Sequence, residues 1–201
     1  EGPNTGGMGT FSPSRVYTDE VAEECMEKIF IPTMNAMNAE NRTFKGVLYF
    51  GLMKTADGVK VIEYNCRFGD PETQVVLPRL KSDLCEIFNA VIDQRLDEID
   101  IEWNDDACVC VVMASGGYPK NYEKGYKIDG IKQAESLGAL VFHAGTKRSD
   151  NDILTNGGRV LGVTALGDNL EDAIQKAYKY VDLVNFKNAH FRKDIGIKKE
   201  I

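Results

Sequence analysis

The chain has 201 residues, 43% of them apolar and 27% charged, which is enough to bury a core and excludes disorder as its main character. Twenty-four basic residues against 31 acidic ones give a formal charge of −7, a poor balance for binding nucleic acid through a basic face. The longest apolar run, Ala107 to Ala114, is eight residues, far short of a membrane span, so neither nucleic acid nor membrane is an expected partner.

In chain order, the first feature is the loop Gly2 to Gly9, with four glycines around Asn4 and Thr5. Successive amides in such a loop can turn towards an anion, but no Gly-Lys-Ser/Thr follows, so it is not a Walker loop. A glycine-rich loop directly after Glu1, with no initiator Met, predicts a fragment of a longer protein. No basic-then-apolar leader is present, so the expected address is the cytoplasm.

Thr18 is a helix cap, with Asp19 and Glu20 in the positive first turn, and Val21, Cys25, Met26, Ile29 and Phe30 recur at helical spacing. Pro32 removes an amide and predicts a kink or restart before the helix fades near Asn41. Phe44 to Met53 is apolar on both parities and reads as a strand buried on both faces. Ala56-Asp57-Gly58 is a hairpin turn, and Val59 to Asn65 is the returning strand. Leu84, Ile87, Phe88, Val91 and Ile92 mark a second helix, capped by Ser82 or Asp83 with Glu86 near the capping-box position.

A boundary falls around Asp97 to Asp106, where acidic residues crowd; beyond it strands and glycine turns dominate. Ala107 to Ser115, Leu140 to Thr146 and Arg159 to Leu166 read as strands, and Leu170, Ala173, Ile174, Ala177 and Val181 as an amphipathic helix. The five cysteines are odd in number and scattered, so they read as reduced thiols, with Cys108 and Cys110 buried in a strand. His143 and His190 have no evident catalytic partner and read as structural.

The densest chemistry lies in Val59 to Glu72. Strand alternation puts Val59, Val61, Glu63 and Asn65 on one face, which turns from apolar to oxygen-bearing midway. Two hard oxygen donors there suit a magnesium ion that also holds phosphate oxygens; the alternative is a surface Glu bonded to Lys60 or Arg67. Gly69 and Pro71 make a stiff turn that holds Arg67, Asp70 and Glu72 near the strand's end. The Arg67 guanidinium can grip a carboxylate or phosphate in bidentate fashion. Asp70 and Glu72 can hold an amine, orient Arg67 or cap the next helix.

Gly-Pro-Asn-Thr-Gly-Gly-Met-Gly at 2–9 and Val-Ile-Glu-Tyr-Asn-Cys-Arg-Phe-Gly-Asp-Pro-Glu at 61–72 resemble the phosphoribosylamine–glycine ligase (glycinamide ribonucleotide synthetase) family of the ATP-grasp superfamily. Phe142 to Thr146, Asn156 to Leu161 and Arg192 to Gly196 resemble the same family's C-terminal region, in the same order. The resemblance implies an α+β architecture: the C-terminal half of an ATP-grasp domain over 1–102, a sheet covered by helices, then a small strand-rich domain over 103–201 like the superfamily's rudimentary hybrid domain. It implies Glu63 and Asn65 as ligands of Mg²⁺ or Mn²⁺, and Arg67 as the catalytic residue on the acyl substrate. Asn4, Thr5, Gly6, Gly7, Arg67 and Asp70 are the implied substrate-binding residues. Val47 to Met53 lacks the extra acidic ligand that many relatives supply from the preceding strand.

The implied reaction joins glycine to 5-phosphoribosylamine with ATP as co-substrate, through glycyl phosphate, in purine biosynthesis. The family's N-terminal half, with most groups that hold ATP, is absent from these residues, so the isolated fragment is expected to be inactive. The rival readings are another ATP-grasp ligase of purine metabolism and a non-catalytic scaffold module.

Overall fold

In chain order the computed structural model, which describes residues 2–197, runs β1 (Gly9–Ser12), α1 (Asp19–Cys25), α2 (Ile31–Ala39), β2 (Tyr49–Thr55), β3 (Gly58–Asn65), α3 (Thr73–Val76) and α4 (Leu84–Asp93). It continues with β4 (Ala107–Ala114), α5 (Ile131–Ser136), β5 (Leu140–His143), β6 (Thr146–Ser149), β7 (Asp152–Thr155), β8 (Arg159–Gly167) and α6 (Leu170–Val181). The result is the expected mixture of helices and antiparallel sheets. Contacts sort the elements into two units: residues 2–12, Asp70–Arg79 and 104–197 in the first, Pro13–Gly69 and Leu80–Trp103 in the second. One boundary between the units falls at 103/104, beside the expected 102/103, but residues 2–12 and Asp70–Arg79 group with the later segment. The physical reason is that β1 pairs with β4, and α3 packs on one face of β4, drawing two early segments into the later unit.

In the first unit the strands form an antiparallel sheet in the order β1-β4-β8-β5. All eight residues of β4 are buried. Val109, Val111 and Met113 face a core shared with Ala173, Ala177, Tyr180 and Val181 of α6, while Cys108 and Cys110 face Val75 of α3. Cover on both faces explains why β4 reads as an unbroken apolar run rather than an alternating one. Burial pushes both thiols up to about 12. Helix α6 has the boundaries that its apolar stripe predicts, and the Asn169 side chain caps it by accepting the Asp172 amide at 3.0 Å. The strand expected over Leu140 to Thr146 ends at His143, and Thr146 opens the β6–β7 hairpin instead.

In the second unit Thr18 caps α1 as expected, accepting the Val21 amide at 3.4 Å. Before Pro32 the helix widens over Met26–Phe30, where the Ile31 amide reaches back five residues to the Met26 carbonyl. This wide turn adjoins the proline, whose ring cannot donate and crowds the preceding turn. Asp83 caps α4, accepting the Cys85 and Glu86 amides. Strand β2 begins at Tyr49 rather than Phe44, and it grades from half-buried to exposed instead of being buried on both faces. Its sheet has two strands only among the described residues, so no third strand covers it.

Candidate functional site

Strand β3 carries the acidic and amide side chains, and its placement follows from the helix beside it. Glu24 of α1 accepts the Val59 amide at 3.4 Å and the Lys28 ammonium at 3.2 Å. Those bonds, the lysine's first, hold its carboxyl below the usual range. Phe30 packs tilted against Phe50 at 4.5 Å between ring centroids, Phe50 meets Tyr64 edge-on at 5.3 Å, and the Tyr64 hydroxyl lies 3.4 Å from Thr33 Oγ1 of α2. Tyr64 therefore faces the helix, and its neighbours Glu63 and Asn65 face the other way.

A bulge corrects the simple alternation. Gly51 pairs with Glu63 and Leu52 with Val61, leaving Ile62 as the extra residue. Val61 and Tyr64, three residues apart, consequently line the same apolar groove beside α2. Val59 and Val61 thus do not share a face with Glu63 and Asn65 as strict alternation requires. The pair itself stays together. The Glu63 side chain lies across Gly51, where an added Cβ would come within 2.8 Å of Glu63 Cγ.

Glu63 is exposed, and among the described residues its carboxylate takes part in no ion pair, with Lys60 and Arg67 included. Arg67 instead donates to Asn65 Oδ1 at 3.3 Å and to the Phe68 carbonyl at 2.7 Å. The second unit thus presents a free carboxylate and an amide oxygen two residues apart, with a guanidinium beside the amide. No cluster of three or more His, Cys, Asp or Glu suited to a metal occurs among the described residues. Two hard oxygens still fit Mg²⁺, which usually takes one or two protein oxygens and completes its shell with phosphate and water.

The first unit holds the other expected residues. Asn4, Thr5, Gly6 and Gly7 lie in an exposed loop ahead of β1. The Gly6 amide donates to the Tyr118 hydroxyl at 3.1 Å, and the Gly7 carbonyl accepts from Arg159 at 3.2 Å. Gly7 itself packs on Pro71, where a Cβ would come within 2.5 Å of the ring. Asp70 precedes a cis peptide bond to Pro71. Its Oδ2 accepts from Arg159 at 2.7 Å and its Oδ1 from Gln74 at 2.9 Å. The arginine that engages Asp70 is therefore Arg159, not Arg67. Glu72 stands before α3, where its carbonyl accepts the Val75 and Val76 amides but its side chain makes no capping bond.

Arg159, Tyr118 and Gln74 are absent from the residues that sequence reasoning selects. The signal available was slight: a lone arginine directly after Gly157-Gly158 at the mouth of a strand.

Comparison with known proteins bears on both units. A family model described as the phosphoribosylglycinamide synthetase ATP-grasp (A) domain matches residues 1–73, and one described as the phosphoribosylglycinamide synthetase C domain matches 108–198. The chain belongs to the phosphoribosylglycinamide synthetase family. Among relatives of this family, the phosphoribosylamine–glycine ligase of Vibrio vulnificus is 48% identical over 198 residues, covering 98% of this chain and 46% of the relative. The trifunctional purine biosynthetic protein adenosine-3 of Gallus gallus is 51% identical over 199 residues, covering 98% of this chain and 20% of that protein. The crystal structure of phosphoribosylamine–glycine ligase from Thermotoga maritima superposes with a TM-score of 0.80 at 33% identity, over 97% of this chain and 48% of that one. The chain thus spans a little under half the length of the family's ligases that it matches, and its fold is that of their matching half.

Proposed function

We propose that the protein carrying this chain is an ATP-dependent ligase that joins glycine to 5-phosphoribosylamine, giving glycinamide ribonucleotide, ADP and phosphate in purine biosynthesis. The observation that carries this reading is the end of β3, where the unpaired Glu63 carboxylate and Asn65 share a face and Arg67 bonds Asn65 Oδ1. Relatives that align over nearly the whole chain bear the ligase's name.

Glycine's carboxylate attacks the γ-phosphate of ATP to form glycyl phosphate, and the amine of phosphoribosylamine then displaces phosphate. Glu63 and Asn65 are the residues that would hold Mg²⁺ or Mn²⁺, and a bound divalent ion supplies neutralisation of phosphate charge. Arg67, released from the Phe68 carbonyl, has donors for the carboxylate or acyl-phosphate oxygens, acting by placed charge rather than by proton transfer. Asn4, Thr5, Gly6 and Gly7 contribute exposed loop amides and side chains for substrate. Residues 1–102 serve as the ATP-grasp part and 103–201 as the C-terminal part, a division supported by family-model matches over 1–73 and 108–198. The five free thiols suit a reducing, cytoplasmic address. Most ATP-holding groups belong to the part of the relatives outside the match, so the 201 residues alone are expected to be inactive.

The test is ADP release by the whole protein with a panel of acceptors. Release that requires both glycine and phosphoribosylamine supports the reading. Release driven by bicarbonate or formate, with glycine inert, overturns it in favour of another ligase of the superfamily.

A further inference from the structure

The first unit contains a side-chain tie that no expected role explains. Arg159, the first residue of β8, directs its guanidinium at three acceptors: the Gly7 carbonyl at 3.2 Å, the Asp70 carbonyl at 2.9 Å and Asp70 Oδ2 at 2.7 Å. Asp70 Oδ1 is taken by Gln74 at 2.9 Å, so both oxygens of that carboxylate are engaged. The loop is also held through the Gly6 amide on Tyr118 and the Met8 carbonyl, which accepts the Val112 amide at 3.1 Å. The Tyr118 ring in turn lies on Gly158, where any Cβ would overlap it.

The fork geometry of a guanidinium suits this task, since one planar group can bind a carboxylate and two carbonyls at fixed angles, as an ammonium cannot. The charge-assisted bond to Asp70 Oδ2 fixes the ring of contacts, and the Gly7 carbonyl is fixed with it. The Arg159 side chain is about three-quarters covered, at 24% relative exposure, while Asp70 is about half exposed, so the arginine is the more sheltered partner of the pair.

We propose that Arg159 is a positioning residue, which with Asp70 and Gln74 clamps the Asn4–Gly7 loop in its substrate-binding shape. Asp70 then acts through the clamp and not as a ligand of a substrate amine. This rests on the ligase reading for its kinetic consequence, but not for the clamp itself.

The test uses the whole protein, as wild type, Arg159→Met, Asp70→Asn and the double variant. Hydrogen exchange is read at the amides of residues 5–8, and steady-state kinetics are read for each substrate. We expect exchange in that loop to quicken by at least about tenfold in either single variant, while β4 and α6 keep their protection. We expect KM for glycine or phosphoribosylamine to rise by about ten- to a hundredfold, with kcat and the KM for ATP within about threefold, and the double variant to be no worse than the worse single. Arg159→Lys, which keeps the charge and loses the fork, should restore less than half of the lost affinity. Unchanged loop exchange, losses that multiply in the double variant, or a loss mainly in kcat would overturn the clamp. A wild type that makes no glycinamide ribonucleotide would overturn the ligase reading instead, leaving the exchange measurement to decide the clamp.

Discussion

Cys108 and Cys110 differ from Cys66 and Cys85 in one respect that chemistry can read, which is cover. The first pair is fully buried between β4 and α3, with thiols pushed up to about 12, whereas the second pair is exposed. Buried Cys25 is likewise raised, by burial and then by Glu24. A thiolate is the reactive form, so a chromogenic disulfide at pH 8 should titrate two thiols quickly and the remaining three only in denaturant. The same difference gives a pH dependence. In the folded chain Cys108 and Cys110 keep their protons up to about 12, while in the unfolded chain they lose them near the ordinary value of 9.0. Between those values the unfolded state binds fewer protons, so stability falls as pH rises from about 9 towards 12 and is unaffected by these groups below 9. Denaturant midpoints from pH 8 to 11 should show the decline, and Cys108→Ala with Cys110→Ala should flatten it. An equally steep decline in the double variant would refute the assignment.

At the scale of elements, the β2–β3 hairpin decides which side chains can act together. The bulge at Ile62 turns Glu63 and Asn65 away from α2, and Gly51 leaves room for the Glu63 side chain across the pair. Gly51→Ala should therefore displace Glu63 without unfolding the hairpin, weakening Mn²⁺ binding to the whole protein by about ten- to a hundredfold, the range seen when a ligand's support is lost. Paramagnetic resonance of free Mn²⁺ measures this, and unaltered affinity would count against Glu63 as a ligand.

The hairpin also shows what sequence can carry. Ala56-Asp57-Gly58 announces the turn and Glu-x-Asn announces the donors, because both are local. The bulge is not legible, since it arises from pairing across strands. Strand β4 and helix α6 were legible from an apolar run and an amphipathic stripe, whereas the Asn169 cap emerged only from the structure. Strand β1 and the β6–β7 hairpin are four-residue strands, too short to show a period, and they exist because of partners far away or turns of mixed composition. Arg159 escaped for the same reason, as its acceptors lie 89 and 152 residues away.

For the whole molecule, the two units divide the proposed work: Glu63, Asn65 and Arg67 belong to one, and the Asn4–Gly7 loop, Asp70 and Arg159 to the other. The family's ligases are about twice as long as this chain, which aligns with 46% of the Vibrio vulnificus relative. Activity is thus a property to be sought in the whole protein, and the metal-bound nucleotide is its most direct probe. The measurement is a calorimetric titration of Mg²⁺-ADP into the whole protein, as wild type and as Glu63→Ala. Saturable binding in the wild type, weakened by more than about tenfold in the variant, is the expected result. Equal affinity in the two proteins would contradict the assignment of Glu63 and Asn65 as the metal-holding pair of an ATP-dependent ligase.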